Sequence, residues 1–375
     1  MVIRSTQCHH PPSMSAPPDL HALLALSVER GASDLHIHCG SPPLARISGE
    51  LVPLAEIPLD PDTSYYLVFS VLTEPQRERL QQDRELDFVL DYPALGRFRC
   101  NAHYARGCVE AAFRHIPGTV SDLETLGHLP IVNDLCQRKE GLILITGQAG
   151  AGKTTTMAAM VQRISRLRAG VVIMIEDPIE FSFPPALGII KQREVGVDTK
   201  SFAMGLRQAA RQDPDVIVIG EMRDQETMAA ALTAAETGHL VIGTLHTIDA
   251  AKTVDRIVNV FPGDQKNQIT TQLGNTLLGV ISQRLLPRAD GKGRVLAVEA
   301  MIANSGIRAS IRDNKPHMIA GQIEIGGGEG MVTLDESLSR LTEQGLITYE
   351  EALAHARDHD RIPKPEPKKK KGLFG

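Results

Sequence analysis

A glycine-rich motif between an apolar run and a helical pattern limits the fold of this chain more than any other feature. The motif runs from residue 147 to 154 and matches G-x-x-x-x-G-K-[ST] in full. It follows the apolar run 142–146 and precedes the helical pattern 155–167. Glycines let backbone N–H groups close on phosphate oxygens, and a helix N-terminus adds partial positive charge. The pattern therefore predicts a nucleoside triphosphate site on an α/β domain.

The motif also predicts roles for its side chains. We expect Lys153 to neutralise the β- and γ-phosphates and Thr154 to ligate Mg²⁺. The predicted nucleotide-binding residues are Gly147, Gln148, Ala149, Gly150, Ala151, Gly152, Lys153, Thr154 and Thr155.

Four short apolar runs, separated by helical patterns, predict buried parallel strands. They are 142–146, 171–175, 216–219 and 240–245. In an open parallel sheet, ligands lie outside the carboxyl ends of the strands. The residues that follow each run are therefore the candidates for metal binding and for water activation. After residue 262 the sequence predicts mostly helix.

Acidic side chains and a histidine follow three of these runs. Glu176 and Glu180 follow the second run, Glu221 follows the third, and His246 follows the fourth. Carboxylates beside a triphosphate bind Mg²⁺ and orient an attacking water, and His246 is placed to sense the γ-phosphate. His239 precedes the fourth run and would lie about 23 Å from His246 along a continuous strand. We therefore expect His239 to have a structural or subunit-contact role. Capping of the following helix is the other interpretation of each carboxylate.

The first third of the chain has a mixed pattern. Strand patterns, among them 96–102 and 109–114, alternate with helical ones and predict a small α+β domain. Arg97 and Arg99 are two residues apart on one of these strands and share a face. The predicted division is a disordered lead 1–18, an α+β domain 19–118, a linker 119–139, an α/β domain 140–363 and a basic flexible tail 364–375.

Composition argues against several classes of function. The chain has 40 Lys+Arg against 45 Asp+Glu, a formal net charge of −5, with 9 Phe, 5 Tyr and no Trp. It lacks the basic excess and the stacking side chains that are typical of nucleic-acid binders. No apolar run is long enough for a transmembrane helix, and no secretory signal is evident, so we expect a cytoplasmic protein. The five cysteines include no CxxC pair, so no zinc site is indicated.

Longer motifs resemble those of the secretion ATPases. Residues 175–181 are similar to the Asp box of these proteins. Residues 220–224 are similar to their Walker B motif, in which Gly-Glu replaces the usual Asp, and residues 233–247 to their His box. The resemblance extends from about residue 19 to 362 and is closest to the PilT family, the type IV pilus retraction ATPases.

This resemblance implies a homohexamer with a PAS-like N-terminal domain and a RecA-like P-loop NTPase domain. It implies ATP hydrolysis that drives pilus disassembly and twitching motility. The place implied is the cytoplasmic face of the inner membrane, where the protein is peripheral and docks on a platform protein of the pilus.

The resemblance also assigns roles to individual residues. The family's catalytic base corresponds to Glu180, with Glu176 as the alternative, and the acid that helps to hold Mg²⁺ corresponds to Glu221. Arginines that reach the nucleotide, often from a neighbouring subunit, correspond to Arg97, Arg99 and Arg114.

Two segments leave alternative functions open. Residues 306–312 keep Arg308 and Arg312 on one helical face, but have Ala309 and Ser310 where the family's retraction motif often has Asn and Leu. Residues 347–356 resemble the PilU paralogue, so an accessory ATPase that assists a paralogous pilus ATPase is one alternative. A nucleic-acid translocase is another, which the acidic balance opposes. No cysteine follows Cys136, whereas assembly ATPases commonly carry a four-cysteine metal-binding insertion.

Overall fold

The structure is a computed structural model that describes residues 19–47, 49–116 and 120–364. The chain divides into two compact units, Met1–Gly118 and Thr119–Gly375. The predicted lead, residues 1–18, and the predicted tail apart from Lys364 lie outside the described residues. No helix in the described parts of the chain combines the length and the apolarity that a membrane span needs.

The first unit is an antiparallel sheet with helices on one face. Its strands are ordered β3-β2-β1-β6-β5-β4. The elements in chain order are α1 (Leu20–Glu29), β1 (Asp34–Ile37), β2 (Leu44–Ile47), β3 (Glu50–Pro53), α2 (Pro61–Phe69), α3 (Glu74–Asp83), β4 (Glu85–Tyr92), β5 (Gly96–Ala105) and β6 (Cys108–Ile116).

Alternation along the strands separates the two faces of this sheet. Phe98 and Cys100 of β5 and Phe113 of β6 are fully buried and pack in one cluster with Leu24 of α1 and Leu67 of α2. The arginines at the intervening positions of β5 therefore lie on the opposite face. This arrangement agrees with the predicted smaller α+β domain, while its PAS-like character stays a prediction.

The second unit contains a larger, mostly parallel sheet. Its elements are α4 (Pro130–Cys136), β7 (Gly141–Thr146), α5 (Lys153–Leu167), β8 (Val171–Glu176), β9 (Ile189–Glu194), α6 (Phe202–Ala209), β10 (Val216–Ile219), α7 (Gln225–Glu236), β11 (Leu240–Leu245), α8 (Ala250–Asn259), α9 (Lys266–Thr276), β12 (Leu277–Pro287), β13 (Arg294–Ile302), α10 (Ser305–Arg312), α11 (Ile319–Ile325), α12 (Leu334–Glu343) and α13 (Tyr349–His355). The seven strands are ordered β13-β12-β7-β11-β10-β8-β9, and only β13 pairs antiparallel.

Helices cover both faces of the central strands. Leu142 and Leu144 of β7 belong to one buried cluster, and Ile143 and Ile145 belong to the other. All six residues of β7 are buried. Burial on both faces explains why the four apolar runs lack alternation, and it confirms the predicted α/β class with parallel strands.

The C-terminal part of this unit contains both helices and strands. The prediction of mostly helix after residue 262 agrees with α9 to α13, but it missed β12 and β13, which form a hairpin that extends the sheet. Polar residues such as Ser282 and Gln283 interrupt the apolar pattern of β12, so the strand is specified by its pairing with β7 rather than by a local signal.

The described part of the predicted linker contributes Val120 and Leu123 to the core of this unit.

We predict that Leu144→Ala destabilises the second unit by about 2–5 kcal/mol, since it leaves a cavity in a fully buried strand. Urea unfolding followed by circular dichroism measures the change. Leu187→Ala is the control, because Leu187 is 67% exposed, and it should change the unfolding free energy by less than about 0.5 kcal/mol. Equal effects of the two substitutions would contradict the central position of β7.

Candidate nucleotide-binding and catalytic site

The glycine-rich loop joins the central strand β7 to helix α5, as the motif requires. Gly147, Gly150 and Gly152 have φ angles of 147°, 75° and 85°. Residues other than glycine rarely adopt such backbone angles. A Cβ at Gly147 would lie 2.5 Å from the carbonyl oxygen of Gln283. Both the backbone conformation and this close approach therefore require glycine at position 147.

Lys153, the first residue of α5, folds back over the loop. Its Nζ donates to the carbonyl oxygens of Gly147 at 2.9 Å and Gln148 at 3.0 Å, and it lies 3.4 Å from Nδ1 of His246. Burial lowers the pKa of Lys153, and the carboxylates of Glu221 and Glu180 offset only part of that shift. The loop thus holds an ammonium group at the carboxyl end of the sheet.

A cavity of about 200 Å³ lies at this edge of the sheet. Six of the side chains predicted from the sequence line it, namely Lys153, Thr154, Glu176, Glu180, Glu221 and His246. Ala149 and Gly150 of the loop also border it. Gly147, Gln148, Ala151, Gly152 and Thr155 do not line the cavity and belong to the loop or to the first turn of α5. The structure therefore brings the predicted groups of this unit together.

The two glutamates that follow β8 have different surroundings. Glu176 is only 2% exposed, and its Oε1 accepts a hydrogen bond of 2.9 Å from Nε2 of Gln192. The same Gln192 nitrogen also donates to the carbonyl oxygen of Phe181 at 2.8 Å. Glu180 is half-buried at the cavity wall. A water molecule in the cavity therefore has easier access to Glu180 than to Glu176.

Glu221 and His246 form a bridge between the strands β10 and β11. Oε1 of Glu221 lies 2.8 Å from Nε2 of His246 and 2.6 Å from Nε of Arg223. Burial alone raises the pKa of Glu221, but the hydrogen bonds and charges of Arg223 and His246 outweigh it, so the pKa is lowered. Glu221 is therefore held as a carboxylate beside Lys153.

His239 lies at the other end of β11, as its position in the sequence predicts. Its Nδ1 is 2.9 Å from the carbonyl oxygen of Ala234, and its own carbonyl oxygen accepts from the backbone N–H of Gly141 at the start of β7. These contacts tie together the amino ends of two strands, on the side of the sheet away from the cavity.

Arg97, Arg99 and Arg114 belong to the first unit and share the face of its sheet that is opposite the helices. Arg99 and Arg114 are directly opposite each other in the pairing of β5 with β6. Nε of Arg114 donates to Oδ1 of Asp34 at 2.8 Å. Arg99 is exposed, and the side chain of Arg97 is 18% exposed. The sequence predicted the shared face of Arg97 and Arg99 but not the pairing of Arg99 with Arg114.

The segment 306–312 forms α10, and its two arginines differ in their contacts. The guanidinium of Arg308 donates to the carbonyl oxygens of Gly274 at 2.8 Å and Asn275 at 2.6 Å, at the end of α9. Arg312 is exposed. Ser310 is buried and its Oγ accepts from Nε2 of Gln322 at 2.8 Å. Arg308 therefore stabilises a helix end of its own unit, and Arg312 is the arginine that a partner can reach.

Sequence reasoning missed Gln283 as a residue of the site. Gln283 lies in β12, and its Nε2 donates to the carbonyl oxygen of Ala151 in the loop at 2.7 Å. Its neighbour Ser282 accepts from Oγ1 of Thr146 at 2.8 Å. A strand assignment for 277–287 would have placed both residues beside the end of β7, but the sequence pattern predicted helix there.

Comparison with known proteins identifies the family. A sequence model of the type II/IV secretion system protein family matches residues 17–356. The chain is 42% identical over 345 residues to the type IV pilus retraction ATPase PilT of Pseudomonas aeruginosa, covering 92% of this chain and 99% of that protein. The crystal structure of the pilus retraction motor PilT with bound ADP has a TM-score of 0.87 and 44% identity, and covers 92% of this chain and 99% of that one. The chain belongs to the type II/IV secretion system protein family, in its PilT group.

A second curated relative bears on the accessory alternative. The chain is 39% identical over 338 residues to the type IV pilus ATPase PilU of the same organism, covering 90% of this chain and 88% of that protein. Identity to PilT is higher. The predicted PilT resemblance is confirmed, and the P-loop NTPase fold of the second unit agrees with its PilT-type neighbour.

We predict that Glu221→Gln reduces the pH dependence of stability in acid. A carboxylate whose pKa is lowered on folding stabilises the native state above its unfolded pKa, and this contribution disappears as pH falls through the folded pKa. The difference in unfolding free energy between wild type and variant should therefore shrink as pH falls from about 5 to about 3.5. Urea titrations at several pH values measure it. Glu78→Gln, at an exposed position, is the control. A difference that does not change with pH for Glu221→Gln would contradict the lowered pKa of Glu221.

Proposed function

We propose that this chain is an ATPase that hydrolyses ATP to drive type IV pilus retraction and thereby twitching motility. The observation that carries the proposal is the cavity in which Lys153, Thr154, Glu180, Glu221 and His246 meet, in a chain of the PilT group. Phosphoryl transfer needs an ammonium group, a hydroxyl and carboxylate oxygens around the phosphates. Lys153 and Thr154 supply the first two at the N-terminus of α5.

The loop and its flanking side chains would bind the triphosphate. Backbone N–H groups of the loop and the N-terminus of α5 face the phosphates, and Lys153 moves from the loop carbonyls to the β- and γ-phosphate oxygens. The oxygens of Thr154 and Glu221 are of the type that Mg²⁺ prefers, Glu221 acting through water. Mg²⁺, when bound, neutralises charge on the phosphate oxygens. His246 senses the γ-phosphate, and its contact with Glu221 links it to the proposed metal-binding carboxylate.

Glu180 is the proposed base that orients the attacking water. Its half-buried carboxylate lines the cavity, whereas Oε1 of Glu176 is engaged by Gln192 and is shielded from solvent. Glu176 then acts as a structural acceptor that fixes the start of the loop after β8.

Arginines of the first unit complete the charge around the phosphates. We assign this role to Arg97, Arg99 and Arg114 of a neighbouring copy, within a homohexamer. The pairing of Arg99 with Arg114 concentrates positive charge on one sheet face, and an arginine against a transferring phosphoryl group raises its rate by about 10³–10⁵. Unequal affinity of two subunit arrangements for ATP and ADP converts hydrolysis into movement.

The same proposal includes the partners and the place of action. The protein acts in the cytoplasm, peripherally at the inner membrane, on a pilus platform protein, and it does not act on nucleic acid. Its domains are 19–118 and 140–363, joined by 119–139 and flanked by the lead 1–18 and the basic tail 364–375. The exposed Arg312 is the arginine of α10 available for contact with the platform.

We predict that Glu180→Gln lowers kcat for ATP by about 10²–10⁴ and leaves ADP affinity near that of wild type. The reason is that the amide keeps the shape of the side chain but cannot accept the proton of the attacking water. Phosphate release and calorimetric ADP titration measure the two quantities. Glu176→Gln is the matched control and should have a smaller effect on kcat. A larger effect at Glu176 would transfer the role of base to that residue.

A motility assay separates the retraction motor from the accessory alternative. Similarity to PilU and the residues Ala309 and Ser310 within α10 favour this second candidate. In a deletion strain, we predict that the wild-type gene restores twitching and that Lys153→Ala does not, because retraction needs ATP hydrolysis by this chain. Rescue by Lys153→Ala would favour an accessory role in which binding to a paralogous motor suffices. Stimulation of ATP turnover by DNA, with steep salt dependence, would favour the translocase instead.

A further inference from the structure

Strand β12 packs against the glycine-rich loop. Ser282 accepts a hydrogen bond from Thr146, the last residue of β7, and both side chains are buried. A Cβ at Gly147 would lie 2.5 Å from the carbonyl oxygen of Gln283, which is too close for a side chain. A Cβ at Gly152 would meet Nε2 of Gln283 and Cδ1 of Leu285, each at 3.3 Å. Gly147 and Gly152, near the two ends of the loop, therefore pack closely against residues 283–285 of β12.

One of these contacts fixes the orientation of a peptide group in the loop. Nε2 of Gln283 donates to the carbonyl oxygen of Ala151 at 2.7 Å. The Ala151–Gly152 peptide is planar and trans, so its C=O and its N–H point in opposite directions. With the carbonyl oxygen held toward β12, the N–H of Gly152 points away from β12. We propose that Gln283 is a positioning residue for nucleotide binding, which aims the Gly152 N–H at a phosphate oxygen.

This inference rests on the proposed function, since it concerns the same nucleotide site. Gln283 touches the loop and not the phosphates, so it acts through the Ala151–Gly152 peptide. The proposed role explains why a polar side chain occupies this buried position, which packing alone does not explain. Gln283 is 2% exposed, and its Oε1 has no hydrogen-bond partner within the described residues. A buried acceptor without a partner destabilises the fold, and a thioether side chain of similar size would avoid that penalty.

The chain offers a matched control in Gln162 on α5. Gln162 is 4% exposed, its Nε2 donates to the carbonyl oxygen of Val120 at 3.2 Å, and its Oε1 also has no partner in the described part of the chain. It belongs to the same unit but contacts a segment outside the loop. Gln162→Met therefore removes the same type of interaction as Gln283→Met, without touching the loop.

The test compares ADP affinity with thermal stability in the full-length chain. We expect Gln283→Met to weaken ADP binding about tenfold, and Gln162→Met to leave it within about twofold. We expect the two variants to have similar melting temperatures without nucleotide. Calorimetry and thermal unfolding measure these quantities. Wild-type ADP affinity in Gln283→Met, or equal weakening in both variants, would overturn the inference. Failure of the wild-type protein to bind ADP would instead overturn the proposed function.

Gln283→Glu gives a second readout that a purely structural role would not move. An ionised carboxylate cannot donate to Ala151, whereas a protonated carboxyl can, and burial raises the pKa of a carboxyl group. We expect its ADP affinity, relative to wild type, to recover as pH falls from about 8 to about 6. A ratio that stays constant over this range would count against positioning through a donated hydrogen bond, even if Gln283→Met does not fold.

Discussion

Parallel pairing of β7 with β11 on one side and β12 on the other is the constraint on which the site depends. In this register Thr146 lies opposite both Leu245 and Ser282. The strands β7 and β11 therefore end at the same level, and the glycine-rich loop and His246 follow them directly. Strand β12 continues beyond this level to Pro287, which places Gln283 beside the loop. Pairing of β8 with β10 aligns Ile175 with Ile219 in the same way. Backbone hydrogen bonds of a buried sheet thus set the distances between the side chains of the site.

Charge balance within the cavity follows from this alignment. Lys153 begins α5, Glu221 follows β10 and His246 follows β11. His246 lies within hydrogen-bond distance of both Lys153 and Glu221. Partial burial strengthens these contacts by removing water. In the proposed function, a triphosphate that enters the site competes with the loop carbonyls for Lys153 and extends the same network. The proposal therefore couples nucleotide binding to the position of His246 through contacts a few ångströms long.

The sequence was sufficient for the parts of the site that lie within single elements. The loop, the four central strands and the residues that follow them were predicted because unbroken apolar runs and a specific motif carry that information locally. Gln283 and the pairing of Arg99 with Arg114 were not predicted, since both depend on which strands become neighbours. The β12–β13 hairpin was missed because Ser282, Gln283 and Arg284 interrupt its apolar pattern, and only its pairing with β7 makes it a strand.

ATP turnover by the purified protein, compared with Lys153→Ala, tests the central claim most directly when molecular mass is measured in the same samples. The account predicts a hexamer that releases phosphate steadily, and a Lys153→Ala hexamer whose release is abolished. Turnover that persists in Lys153→Ala would show that hydrolysis takes place elsewhere. A wild-type protein that binds ATP without hydrolysing it, even with its membrane platform added, would contradict the assignment of this cavity as the catalytic site.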